Sequence, residues 1–96
     1  VDLRKGSPTY GEFELFNLSS ENGKIIYIPS GLAHGFYVTS ETAIMCYKVS
    51  TVYSPKEDTG ILWNSVVIPW PNLHPILSER DQSFLPFSEF RSPLVY

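Results

Sequence analysis

Lys24-Ile25-Ile26-Tyr27-Ile28-Pro29-Ser30-Gly31-Leu32-Ala33-His34-Gly35-Phe36-Tyr37-Val38-Thr39 decides how this chain is read. A short run of β-branched and aromatic residues stops at Pro29-Ser30-Gly31, and a second begins at Gly35. Proline presets a turn torsion and glycine tolerates positive φ, so the stretch reads as strand, turn, strand. The same rhythm extends in both directions, with eight prolines and six glycines as punctuation. Upstream, Gly6-Ser7-Pro8-Thr9 is a turn. Residues 12–18 alternate, with Phe13, Leu15 and Asn17 on one face and Phe16 and Leu18 on the other, so both faces are candidates for cover. Residues 19–23 form a polar turn. Downstream, Ser40-Glu41 is a tight turn, residues 42–53 are the longest strand candidate, and Ser54-Pro55-Lys56-Glu57-Asp58 ends it. Gly60-Ile61-Leu62-Trp63-Asn64 is a short extended piece, and Trp70-Pro71 and His74-Pro75 disfavour regular structure. Ser78-Glu79-Arg80-Asp81 predicts the start of a short helix with Ser78 as N-cap and Asp81 at N3. Many short strands without βαβ spacing predict an all-β sandwich or jelly-roll barrel with an irregular C-terminal tail.

Composition narrows the function classes. Ninety-six residues make one small domain at most, and a chain that is 43% hydrophobic and 15% aromatic has the material for a core. The seven Lys and Arg residues are scattered and the net charge is −3, which is no nucleic-acid footprint. A phosphate-bearing ligand remains compatible, because one or two local cations suffice. Cys46 is the single cysteine, which excludes an internal disulfide and fits a reducing cytoplasm. Its place in an apolar run reads as a buried structural thiol. No apolar run has the length to span a bilayer, and no signal peptide stands at the start. The opening Val1-Asp2-Leu3 reads as the end of a strand already in progress, as expected of the downstream piece of a longer protein.

Few residues are candidates for chemistry. His34 follows the turn set by Pro29 and Gly31, and Gly35 beside it permits close backbone approach. One reading is a satisfied structural histidine; the other is a proton donor, acceptor or hydrogen-bond anchor. Tyr47 and Tyr53 are six residues apart and share a face of a regular strand. They either fill a core or use their hydroxyls, since a phenol stays protonated near neutral pH and can give a proton to a carbanion. Lys48 alternates to the other face, and Lys56, Glu57 and Asp58 read most simply as an exposed loop. Asp81 is the carboxylate of the tail that stands out, because a carboxylate can orient a histidine and stabilise its charged form. Glu79 is the weaker candidate. The only histidines are His34 and His74, with no His-x-His and no cysteine pair, so a metal site built from this chain would be short of ligands.

Six segments taken in order resemble the dTDP-4-dehydrorhamnose 3,5-epimerase family of the cupin superfamily. They are Val1-Asp2-Leu3-Arg4-Lys5-Gly6-Ser7-Pro8-Thr9-Tyr10-Gly11, Ile28 to Phe36, Ser40-Glu41-Thr42-Ala43 with Tyr47-Lys48, Tyr53-Ser54-Pro55, Gly60 to Asn64, and Ile76-Leu77-Ser78-Glu79-Arg80-Asp81. The resemblance implies that residues 1–96 are the C-terminal part of a single cupin jelly roll, incomplete in this chain. It implies a cytoplasmic homodimer without metal or cofactor, acting on a dTDP-4-dehydro-6-deoxy-sugar in dTDP-rhamnose biosynthesis, with no nucleic-acid or membrane partner. A proton is removed from carbon next to the C4 ketone and one is returned to the opposite face.

By the same resemblance Tyr47 is the acid, Tyr53 supports the sugar or diphosphate, and His34 lines the pocket. Arg80 belongs with the substrate-binding residues, and Asp81 pairs with the catalytic histidine base. That base is expected upstream, in an Arg-Gly-Leu-His-type motif which this chain does not contain, and the enolate-stabilising lysine and the diphosphate-gripping arginines are expected upstream as well. Ser65 departs from the family pattern, where an aspartate usually follows Trp-Asn, and the aromatic run Phe84, Phe87, Phe90 and Tyr96 is unusual. Two alternatives stand beside the epimerase: an inactive or partial cupin that binds sugar nucleotide, and a related 5-epimerase, 3-epimerase or ketoisomerase.

Overall fold

A computed structural model describes residues 1–96, which form two compact units: residues 1–34 with 89–96, and residues 35–88. The first is organised by the extended segment Val1–Lys5. In an extended chain successive residues aim their amide groups at opposite edges. Residues 1 and 3 pair along one edge with residues 31–33 in antiparallel sense: the Leu3 amide donates to the Gly31 carbonyl at 3.0 Å and the Ala33 amide to the Val1 carbonyl at 2.9 Å. Lys5 uses the same edge for a parallel bridge to Val95, donating to the Leu94 carbonyl at 2.9 Å and accepting from the Tyr96 amide at 3.0 Å. Asp2 turns to the other edge, where it donates to Glu12 at 2.9 Å and accepts from Gly11 at 2.8 Å.

The turn expected at Gly6-Ser7-Pro8-Thr9 forms there, closed by the Ser7 amide on the Arg4 carbonyl and the Tyr10 amide on the Ser7 carbonyl, each 3.2 Å. Gly6 and Gly11 take positive φ of 80° and 83° at its two ends. Inside the turn lies the carboxylate of Asp2, which is buried. It accepts from the Arg4 amide (2.9 Å), Nε (3.0 Å) and Nη2 (2.8 Å), from Ser7 Oγ (2.6 Å) and from Thr9 Oγ1 (2.7 Å). A charge is tolerated inside a protein only when it is paired and its lone pairs are satisfied, and this one is. The Arg4 side chain first, then Ser7 and the other donors, hold the Asp2 carboxyl far below the usual carboxylate range.

The buried remainder is small: Leu3, Ser7 and Ser92, whose hydroxyl donates to the Leu3 carbonyl. Apart from the Glu12 carbonyl bonded to the Asp2 amide, the stretches expected as strands at 12–18, 24–28, 35–39 and 42–53 form no β bridge, and the bridges at Asp2–Leu32 and Lys5–Val95 are the only two. Their apolar side chains lie open, Ile25, Ile44 and Val52 being more than nine-tenths exposed. An extended segment without a ladder partner leaves both faces in solvent, which is how Phe16 and Leu15 are each exposed from opposite sides of one run. Cys46 shares this environment. It was expected to be a buried thiol and is exposed, because nothing packs over residues 41–50.

The second unit contains the one helix, α1, Glu79–Ser83. Ser78 is its N-cap as expected, in extended backbone (φ −67°, ψ 154°), with its hydroxyl accepting from the Asp81 amide at 3.1 Å. Glu79 and Asp81 place negative charge at the positive end of the helix dipole. The helix stops at Phe84, which returns to extended backbone (φ −70°, ψ 148°) two residues before Pro86. Past that point the Leu62 amide donates to the Leu85 carbonyl at 2.8 Å, and the Phe87 amide donates to Ser65 Oγ at 2.9 Å. Gly60 has no side chain because the Phe84 ring lies against it: a Cβ there would stand 2.9 Å from Phe84 Cε2. Trp63 and Trp70 meet edge to face at 6.0 Å, and the Trp70 indole donates to the Trp63 carbonyl at 2.9 Å.

Two outcomes are expected of the first unit. Gly31 has φ +95°, and a Cβ there would lie 2.7 Å from Arg4 Cδ, the side chain that pairs with Asp2 and stacks on Tyr96. Gly31→Ala is expected to cost about 1–3 kcal/mol, through backbone strain and displacement of Arg4, as a lowered urea midpoint. The depressed Asp2 pKa gives stability that is fully present above the unfolded-chain value of about 3.9 and is lost progressively as pH falls below it. Melting temperatures from pH 5 to pH 2 should fall for the native chain, and Asp2→Asn, less stable at neutral pH, should show a flatter dependence. Equal slopes would remove Asp2 as the source.

Candidate functional site

The candidate site lies in the second unit, where the chain reverses after the long apolar run 42–53. Ser54-Pro55 begins a turn, and the Ser54 carbonyl accepts from the amides of both Glu57 and Asp58 at 3.0 Å. The run and the turn enclose an open cleft of about 320 Å³ lined by Tyr47, Val49, Thr51, Val52, Tyr53, Ser54, Glu57 and Asp58. Val49 and Val52 give it apolar wall, the two phenols give donors, and Glu57 and Asp58 give a negative rim. Such a mixed wall suits an uncharged polar ring with hydroxyls or a carbonyl, held by a few directed hydrogen bonds.

Helix α1 attaches to this turn through Arg80. Its Nη1 donates to Tyr53 Oη at 3.0 Å, and its Nη2 donates to the Asp58 carbonyl at 2.9 Å and forms an ion pair with the Asp58 carboxylate. The guanidinium also lies over the Phe84 ring, 5.5 Å from its centre. Both members of the ion pair are about two-fifths exposed, so the pair alone contributes little; the combination of a fork, a phenol and a ring gives it direction.

Of the residues singled out in the sequence, Tyr47 and Tyr53 are brought together on one cleft, and Arg80 is joined directly to Tyr53. Asp81 follows Arg80 on α1 and is exposed; its amide is held by Ser78. His34 is exposed and belongs to the first unit, two residues past the Leu32 bridge. Asp58 and Phe84 were missed. Asp58 was read as loop, yet it receives Arg80 across 22 residues, a separation that no local pattern signals. Phe84 had a faint signal, since an aromatic four residues after an arginine on a helix sits within reach of it. Ser65, the departure from the family's aspartate, closes its own turn by donating to the Leu62 carbonyl at 2.6 Å while accepting from Phe87. The structure contains no group of three or more His, Cys, Asp or Glu side chains placed to hold a metal ion, and no helix long and apolar enough to cross a membrane.

Comparison with known proteins agrees with the segment-by-segment resemblance. The family model described as dTDP-4-dehydrorhamnose 3,5-epimerase matches residues 1–89, spanning most of both units. A dTDP-4-dehydrorhamnose 3,5-epimerase of Shigella flexneri is 47% identical over 83 residues, covering 84% of this chain and 46% of that protein. The protein of the same name from Salmonella typhimurium is 46% identical over 84 residues, with 84% and 46% covered. A dTDP-4-dehydrorhamnose 3-epimerase of Streptomyces niveus is 41% identical over 93 residues, with 95% and 45% covered. The chain thus spans about half the length of the curated relatives it matches. No solved structure matches it.

Proposed function

The chain belongs to the dTDP-4-dehydrorhamnose 3,5-epimerase family, and we propose that its cleft carries the proton-donating side of that epimerisation on a dTDP-linked 4-keto-6-deoxy-sugar. The observation that carries this reading is that Tyr47 and Tyr53 line one cleft whose remaining wall mixes valines, the hydroxyl residues Thr51 and Ser54, and the acidic Glu57 and Asp58.

The chemistry follows from the ketone. A carbonyl at C4 acidifies the C–H bonds at C3 and C5, because the electron pair left by the departing proton moves onto the carbonyl oxygen as an enolate. A base on one face of the ring breaks the C–H bond, and an acid on the other face forms the new one, which inverts the centre. Tyr47 is the acid: its phenol gives a proton to the enolate carbon and is re-protonated from solvent. Tyr53 hydrogen-bonds the sugar beside it, and Asp81 orients the histidine that serves as base. That base, together with cations for the diphosphate and a donor for the enolate oxygen, comes from outside these 96 residues. The carboxylate of Glu57 on the rim is consistent with this division, since it would repel a diphosphate and leave the cleft to the sugar. The reaction is redox-neutral and is carried by protein groups alone, without metal or cofactor.

The reading extends to architecture. A cupin jelly roll built from the unpaired runs 12–18, 24–28, 35–39 and 42–53 would cover the open side chains of Ile25, Ile44 and Val52, with a second copy of the protein closing the remaining apolar surface. Its place is the cytoplasm, consistent with a single unpaired cysteine.

With the segment that carries the histidine base supplied, incubation with the 4-keto-6-deoxy sugar nucleotide in D₂O should place deuterium at C3 and C5; label at C3 alone would reassign the protein as a 3-epimerase, and none above background would end the epimerase reading. Tyr47→Phe should lower turnover by about 10²–10⁴-fold with little change in substrate binding. Turnover within a factor of two of the native protein would reject Tyr47 as the acid.

A further inference from the structure

We infer that Arg80 is a positioning residue, a strut that fixes Tyr53 and Asp81 relative to one another, and not a cation that grips the ligand. The inference rests on the roles given above to Tyr53 and Asp81 and adds the residue that holds them.

A guanidinium presents its N–H donors in one plane and accepts nothing. For Arg80 to hold a diphosphate, its fork and its charge would have to be free. Both are engaged inside the protein. Nη1 is spent on Tyr53 Oη, Nη2 on the Asp58 carbonyl and carboxylate, and one face of the plane is covered by the Phe84 ring. The Asp58 carboxylate also meets the positive charge that a phosphate would seek.

The same contacts set two directions. Helix α1 is five residues long, far below the length at which a helix sustains itself, so its orientation depends on what its side chains hold. Arg80 reaches back 22 and 27 residues to the turn that follows the cleft. Neighbouring helical residues are about 100° apart around the axis, so fixing the direction of Arg80 fixes that of Asp81. At the other end, Arg80 can only donate, so Tyr53 must accept with its oxygen, and the phenolic proton stays available for a ligand. Lysine could carry the charge but not the planar fork that spans a phenol and a backbone carbonyl together.

Hydrogen exchange on this chain, and steady-state kinetics with the base-bearing segment supplied, test this. In Arg80→Ala, the amides of Glu57 and Asp58, both bonded to the Ser54 carbonyl, should exchange faster by about 10-fold or more. That of Leu62, bonded to the Leu85 carbonyl in the same unit, should be unchanged, which reports that the variant's unit is folded. Turnover should fall by about 10²-fold with KM altered by less than about 3-fold, and Arg80→Lys should fail to restore it. Tyr53→Phe, which removes only the acceptor of one bond, should accelerate exchange at the same two amides to a smaller degree. Unchanged exchange at Glu57 and Asp58 in Arg80→Ala would overturn the strut. So would a KM raised about 10-fold at retained turnover with recovery by lysine, which is the signature of a ligand grip. A native protein without epimerase activity would instead remove the proposed function, and the exchange comparison would still decide the contact.

Discussion

The carboxylate of Asp2 is buried and accepts hydrogen bonds from five donors, and the first unit is arranged so that all five can reach it. Three come from Arg4, two residues on, whose side chain is held on its far side by Tyr96 and passes close over Gly31. The other two come from Ser7 and Thr9, which reach the carboxylate only because Gly6 and Gly11 let the chain fold back. The extended segment that carries Asp2 is then free to pair on both edges, with residues 31–33 and 94–96 on one and residues 11–12 on the other. With a single buried apolar side chain, Leu3, this unit depends on polar satisfaction far more than on apolar burial.

The second unit repeats that logic with the opposite charge. One guanidinium, Arg80, joins a five-residue helix to a turn by a fork of donors and a ring contact. A short helix with no buried residue has almost no hydrophobic reason to stay in place. Capping by Ser78 makes it a helix, and Arg80 gives it a location. In the proposed enzyme this is the difference between a carboxylate that is merely nearby and one that points in a fixed direction.

Legibility in the sequence followed interaction range. The Ser78 cap, the Asp81 position at N3 and the turn at residues 6–9 were readable because each is decided within four residues, where hydroxyl-to-amide bonds and glycine torsions act. Tyr47 and Tyr53 both line the cleft, but not by the strand alternation expected of them, since residues 42–53 form no β pairing. Cys46 was misread because an apolar run says what a segment would bury, not whether anything arrives to bury it. Asp58 and Phe84 were overlooked for a related reason. Asp58 looked like an ordinary loop residue, and Phe84 stood out only as part of an aromatic run with no assigned role, until one arginine was seen to touch both.

Family membership was determined by the sequence alone, since ordered motifs survive in the residues whatever the chain does in space, and the match over residues 1–89 rests on them. So were the local turns, the helix cap and the identities of the groups able to donate or accept protons. Only the tertiary structure decided which of those groups meet. It sent Arg80 to Tyr53 and Asp58, buried Asp2 among hydroxyls and a guanidinium, and left Ile25, Ile44 and Val52 without cover. The physical reason is that a torsion or a cap is settled by neighbours along the chain, whereas an ion pair, a buried charge or a covered apolar face requires a partner delivered from tens of residues away.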